Sequence, residues 1–147
     1  MAGNNRNNLY QLAVRFRKAI DDAKTAGELE CEYEPFRKDR MRKFPNDCCD
    51  DTCDLFWHYL FDIHGIVLKQ YGAYYAREHT RHNWLETEDG IIIDLTGDQF
   101  PHRPAVYVDT DDSFYRLMTD KRFVDVFCIM NDSRLWRDYG VIMDHMK

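Results

Sequence analysis

The sequence is short of positive charge: 20 Lys and Arg stand against 26 Asp and Glu, a net charge of −6. A surface of that sign has no broad basic face for neutralising phosphates, which excludes general nucleic-acid binding. The one basic cluster, RKDRMRK at 37–43, follows the acidic stretch ELECEYE, and the two read as solvated, mutually attracting surface segments. Long apolar runs are also missing. No stretch approaches membrane-spanning length, and the opening MAGNNRNNLYQ has no apolar core for a secretory signal. The five cysteines, at 31, 48, 49, 53 and 128, are odd in number and two are adjacent, a poor basis for a secreted disulfide framework. The expectation is a cytoplasmic protein without nucleic-acid or membrane partners. A chain exported by a signal-independent secretion system would look the same.

What is present suits a single packed domain over 1–147, with 1–7 polar and disordered. Hydrophobic residues make up 44% of the 147, and nine Tyr, nine Phe and three Trp are far more than a disordered chain carries. Leu9, Leu12, Ala13, Phe16, Ala19, Ile20 and Ala23 recur at helical steps, with Gly27 as a stop. Residues 28–44 are charged and irregular, punctuated by Pro35 and Pro45. A second helix is predicted over about 48–64, with Cys49, Cys53, Phe56, Leu60 and Ile63 as its apolar stripe. Asn46 or Asp47 would cap it, Asp50 and Asp51 suit its first turn, and Gly65 ends it. The period then falls to two. IVLKQYGAYYA, HNWLE, GIIIDLT, AVYVD at 105–109 and FVDVFCIM at 123–130 read as strands. A short helix from Ser113 and a last helix over 133–146 complete an α+β pattern, with the helices first and a mostly antiparallel sheet after them.

Three residues in order carry the chemistry: Cys49 at a helix start, His82 in RHNWLE and Asp94 in GIIIDLTGDQF. A thiol, an imidazole and a carboxylate make a nucleophile, its base and the base's orienter. Whether His82 and Asp94 can meet depends on the loop between their strands. A two-residue turn at Asp89-Gly90 would set Asp94 opposite Leu85, on the face away from His82. A three-residue loop, with Glu88 and Asp89 in a type I turn and Gly90 left-handed, sets Asp94 opposite Trp84. His82 and Asp94 then become diagonal neighbours about 7–8 Å apart in backbone. The same register gathers Leu85, Ile91, Ile93 and Leu95 on the opposite, apolar face, leaving the polar face for the cysteine helix to cover.

Each residue has a plainer reading taken singly: a small buried thiol, a structural histidine, a turn-capping acid. Cys48 is a rival nucleophile, but it lies about 100° around the helix from Cys49 and off the apolar stripe. Asp47, Asp50, Asp51 and Asp54 surround the thiol and oppose its ionisation unless they pair or face water. Zinc is the main competitor, with Cys49 and Cys53 one helical turn apart and His58, His64, His79 and His82 nearby. No CxxC or HExxH spacing accompanies them, so no metal or other cofactor is expected. Trp84 and Tyr71, Tyr74 and Tyr75 read as packing, and Gln99 and Phe100 as a strand end that packs or caps.

At FPNDCC, HNWLE and IIIDLTGDQF, about Phe44 to Phe100, the chain resembles the papain-like cysteine peptidase superfamily, more closely its transglutaminase-like and small bacterial papain-like branch. The resemblance implies a papain-like fold, with the nucleophile helix packed on the sheet, and thiol chemistry on amide bonds. It implies Cys49 as nucleophile, His82 as base and Asp94 as orienter. Two departures are visible: Asp47-Cys48 stands where the family often has a small residue, and no Gln shortly before Cys49 matches the one with which papain donates to the oxyanion. Asn46 or backbone amides would then hold the oxyanion. The expectation is a cysteine hydrolase acting on a peptide or protein amide through a thioester. The alternatives are a non-catalytic interaction protein with this fold, and a toxin or effector deamidase.

Overall fold

The computed structural model describes the backbone of residues 2–30, 32–34 and 37–147, and the side chains of 6–30 and 38–147. Cys31 and Pro35 lie outside the described residues. The elements are α1 (Ala2–Thr25), β1 (Glu32–Glu34), β2 (Arg37–Lys38), α2 (Cys49–His64), β3 (Lys69–Tyr75), β4 (Thr80–Glu86), β5 (Ile92–Asp94), β6 (Tyr107–Asp109), β7 (Thr119–Val124) and α3 (Ser133–His145). The architecture is α+β. β1 and β2 form a small ribbon, and the other strands form one antiparallel sheet in the order β6-β5-β4-β3-β7. No helix among the described residues is long and apolar enough to cross a membrane.

Two expected boundaries move. α1 begins at Ala2, so residues 2–7 are helical rather than disordered, and Arg6 is tied to Asp109 at 2.7 Å. The strand expected at 123–130 lies earlier, at Thr119–Val124, and the chain leaves the sheet after Val124, where the Phe127 amide donates to Asp54 Oδ1 at 3.2 Å. A 3-10 turn over Ile129–Asn131 follows. The helix expected from Ser113 is a single 3-10 turn, Tyr115–Leu117.

The hairpin takes the three-residue loop. Leu85 pairs with Ile93 and Glu86 with Ile92; the Thr87 amide donates to the Ile91 carbonyl, and Gly90 adopts φ +87°. Only glycine takes that angle without a steric penalty. Leu85, Ile91, Ile93 and Leu95 therefore share the main core with Phe16, Ile20, Phe56 and Leu60. The cysteine helix covers this apolar face, not the polar face that the sequence suggested. The apolar face is the one able to bury the α2 stripe, since Phe56 and Leu60 need apolar neighbours. Ile63, assigned to that stripe, lies past its buried end and is exposed. The face bearing His82 is closed instead by a second cluster of Tyr75, Trp84, Phe100, Phe114, Tyr115 and Met118, drawn from strands and 3-10 turns.

Candidate functional site

α2 begins at Cys49. The expected caps do not serve: Asn46 and Asp47 are exposed, and Asp47 takes φ +58°, which carries its side chain outward. Cys48 is the N-cap and offers no side-chain hydrogen bond to the helix. The first turn of a helix has no carbonyl one turn back to receive its amides. Thr52 N donates to Cys48 O and Asp51 N to the Asp50 side chain, which leaves the Cys49 and Asp50 amides without an acceptor among the described residues. The sulfur thus sits at the positive end of a sixteen-residue helix. The far end closes as expected, with Gly65 left-handed at φ +64°.

The two adjacent cysteines are distinguished by burial. Cys48 is fully buried beside Met41 and Thr52, and burial pushes its thiol up to about 12. Cys49 is partly exposed. Burial also holds the Cys53 thiol well above the usual range.

The acidic residues around the thiol are each engaged. Asp51 accepts from Arg134 at 2.9 Å and from Arg40 at 2.9 Å, and Asp50 faces Arg40 at 3.4 Å. Asp54 accepts from Gln70 Nε2 at 3.1 Å and from the Phe127 amide, and burial pushes its carboxyl up to about 7. Asp47 points outward toward Lys43 at 3.5 Å. Local cations, hydrogen bonds and outward direction therefore answer the charge that surrounds Cys49 in the sequence.

His82 and Asp94 meet in the interior. His82 Nε2 lies 2.6 Å from Asp94 Oδ2, and both side chains are fully buried. Asp94 also accepts from the Tyr115 hydroxyl at 2.9 Å on the same oxygen, and from the Thr96 amide at 3.0 Å on Oδ1. Burial favours the neutral carboxyl, but the His82 charge and hydrogen bond, the Thr96 amide and the Tyr115 hydroxyl outweigh it and hold Asp94 below the usual carboxylate range. For His82 the balance runs the other way. Burial alone would strip its proton, and the Asp94 charge and hydrogen bond, with the nearby Cys49, raise the ring above the ordinary histidine value. The ring is walled by Phe100, edge-on at 5.0 Å between centroids, and by Trp84 at 6.0 Å.

Cys49 reaches this ring past the end of β5. The β4–β5 ladder covers only Leu85 and Glu86, and the chain leaves it after Asp94. At that end Cys49, Thr52 and Cys53 line a cavity of about 10 Å³ with Leu95 and Thr96. The sulfur comes close enough to the imidazole to favour its protonated form. Since Nε2 is committed to Asp94, Nδ1 is the ring nitrogen left to serve the thiol. The structure thus brings the three sequence-chosen residues together.

Two further residues belong to the site. Gln99 Nε2 lies 3.1 Å from His82 Nδ1 and 3.1 Å from the Thr96 carbonyl, so a side chain that the sequence read as ending and capping a strand touches the base itself. Tyr115 escaped sequence reading, because it lies 21 residues beyond Asp94 on a 3-10 turn among other aromatics. The close folding of this segment depends on Gly97, where a Cβ would stand 2.8 Å from the Pro104 carbonyl. The histidines considered for zinc lie apart: His58 stacks edge-on with Tyr139, and His64 meets the Tyr59 hydroxyl. Among the described residues no three His, Cys, Asp or Glu side chains gather as metal ligands.

Compared with protein-family models, curated proteins and solved structures, the chain matches none of them.

Proposed function

We propose that this chain is a papain-like cysteine hydrolase that attacks a peptide or protein amide through a thioester. One observation carries the reading: a fully buried His82–Asp94 pair, 2.6 Å apart, adjoins a partly exposed thiol at the start of a helix. A buried imidazole held by a carboxylate is suited to accept and return a proton, and a thiol at a helix start is suited to lose one.

The steps follow from these positions. His82 Nδ1 takes the Cys49 proton, and Asp94 stabilises the imidazolium through Nε2. The thiolate adds to the carbonyl carbon, and the resulting oxyanion faces the amides of Cys49 and Asp50. Collapse breaks the carbon–nitrogen bond as Nδ1–H returns its proton to the leaving nitrogen. Water, deprotonated by Nδ1, then opens the thioester and regenerates the thiol. Proteolysis, side-chain deamidation and acyl transfer share every step up to the thioester.

The chain's own cysteines supply the test. Iodoacetamide labelling mapped by mass spectrometry at pH 7 should modify Cys49 faster than the exposed Cys128 by at least tenfold, and His82→Ala should erase that advantage. Equal rates at Cys49 and Cys128 would overturn the reading. A second reading, a non-catalytic binding protein on the same fold, draws on the complete burial of His82; equal labelling is the outcome it expects.

A further inference from the structure

The Gln99 side chain stands against the one ring nitrogen that a thiol would need. Which end of its amide faces the ring follows from chemistry. The same terminal atom lies 3.1 Å from the Thr96 backbone carbonyl and 3.4 Å from Thr96 Oγ1. A carbonyl only accepts, so that atom is the nitrogen, and one of its two hydrogens is used there. The second hydrogen is left for His82 Nδ1 at 3.1 Å. A nitrogen that accepts carries no proton of its own. The ring Gln99 fits is therefore the neutral one with its hydrogen on Nε2, directed at Asp94.

We propose that Gln99 is a positioning residue that holds resting His82 in the neutral Nε2–H form and must turn away from Nδ1 before the base can take the Cys49 proton. The inference rests on the hydrolase reading for its consequence, although its primary readout does not. The contacts of the ring pull in opposite directions: Asp94 and Cys49 favour imidazolium, whereas an amide donor fixed at Nδ1 favours imidazole. The ionisable groups facing the ring are Asp94 on β5, Cys49 on α2 and, through Asp94, Tyr115 on the 3-10 turn. Gln99 gives Nδ1 a hydrogen bond from an amide that cannot ionise, whereas the Cys49 thiol can give Nδ1 the proton itself. Gln99 is anchored by a short turn, Gly97–Gln99, and is itself partly exposed, so its amide has water to turn into. When it leaves, the thiol proton passes to Nδ1, giving a thiolate beside an imidazolium with no change in total charge.

The test is ring nitrogen-15 NMR of His82. In the unaltered protein at pH 7, Nε2 should carry a proton and Nδ1 should be an unprotonated hydrogen-bond acceptor. Gln99→Leu, which removes the donor, should move the ring's titration upward by one unit or more, a tenfold gain in proton affinity. It should also raise the iodoacetamide rate of Cys49 at pH 6 several-fold. Gln99→Asn keeps the amide but withdraws it by one carbon, and should shift the titration in the same direction. A protonated Nδ1 in the unaltered protein at pH 7, or an unmoved titration in both variants, would overturn the proposal. A merely structural role for Gln99 predicts a fall in labelling rate, with no upward titration shift. The titration is repeated in Cys49→Ala. A Gln99-dependent shift there, combined with an unreactive Cys49, would sink the hydrolase reading alone; a reactive Cys49 with an unmoved titration would sink this inference alone.

Discussion

Arg134, in the first turn of α3, donates to Asp51 Oδ2 in the first turn of α2 at 2.9 Å, and the same nitrogen reaches Asp39 Oδ1 at 2.8 Å. One guanidinium, 7% exposed, thus ties the last helix to the helix that begins at Cys49. Burial works against its charge, and the hydrogen bonds to Asp51 and Asp39 more than restore it. Arg134→Met would leave two buried carboxylates short of their cation, a change that typically costs about 3–5 kcal/mol. Urea denaturation should show a loss of that order. The labelling rate of Cys49 should also fall, because Asp51 would then act on the thiol with less of its charge answered.

Tyr115 acts on the base through Asp94. Removing its hydroxyl in Tyr115→Phe takes one hydrogen bond from a buried carboxylate, a loss of about 1.5–3 kcal/mol for a charged acceptor. The folded-state pKa of Asp94 is depressed, so its contribution to stability is present above the unfolded value of about 3.9 and is lost as pH falls through the folded value. With one donor fewer the depression shrinks, and acid unfolding of Tyr115→Phe should begin at higher pH than in the parent. Circular dichroism followed from pH 6 to pH 2 measures the difference. Coincident acid transitions would count against the Tyr115–Asp94 contact as an electrostatic support.

The parts legible in the sequence were those governed by local rules. A two-residue period and an Asp-Gly turn gave the hairpin register, and helical spacing with a following glycine gave α2 and its end at Gly65. Order and register together were enough to select Cys49, His82 and Asp94. Long-range competition was not legible. The sequence could not show that the last strand lies earlier, with Phe127 spending its amide on Asp54 once the chain has left the sheet. Nor could it show that α2 would cover the apolar face, because that depends on the 3-10 turns carrying Phe100 and Phe114 over the other one. The partners of Asp50 and Asp51 come from residues 40 and 134, one of them more than 80 positions away. Gln99 lies within the motif region, and the turn that folds it back onto His82 is a tertiary feature stabilised by the fit of Gly97 under Pro104.

Asp39 and Asp138 are both completely buried, and each has an oxygen, Oδ2, with no partner among the described hydrogen bonds. Burial first, then the neighbouring Asp39, push the Asp138 carboxyl up to about 9, so Asp138 keeps its proton at neutral pH. In the unfolded chain Asp138 loses that proton near its ordinary value of about 3.9. Between those limits the folded state holds a proton that the unfolded state lacks, so stability falls as pH rises from about 4 to about 9. Thermal midpoints at pH 5, 7 and 9 should decline in the parent. Asp138→Asn, which cannot ionise, should flatten the decline and be relatively most favourable at pH 9. An equally steep decline in that variant would show that other groups set the slope.

The hairpin offers the sharpest test of how the site is built. Deleting Gly90 leaves two loop residues, Glu88 and Asp89, between the ends of β4 and β5. If the loop regains a third residue by drawing in Ile91, Thr87 comes to pair with Ile92, and because side chains alternate, every residue of β5 changes face. Ile93 would leave the core and Asp94 would enter it. Two outcomes satisfy the chain. The strand can slip and bury a carboxylate among Phe56, Leu85 and Leu60, at a large cost in stability. Alternatively Thr87 still pairs with Ile91, the core holds Ile93 in place, and the two-residue loop Glu88-Asp89 is strained because neither residue is a glycine. In the first case His82 loses Asp94, its Nε2 proton should no longer show the strong downfield shift of a 2.6 Å contact, and selective labelling of Cys49 should vanish. In the second, that proton signal and the labelling persist while the thermal midpoint drops. Gly90→Ala separates register from strain, since it keeps the loop length but places a Cβ at φ +87°. It should lower stability by about 1 kcal/mol and leave the His82–Asp94 signal unchanged. Loss of that signal in Gly90→Ala would mean that the backbone angle at residue 90, rather than the number of loop residues, sets the register of the pair.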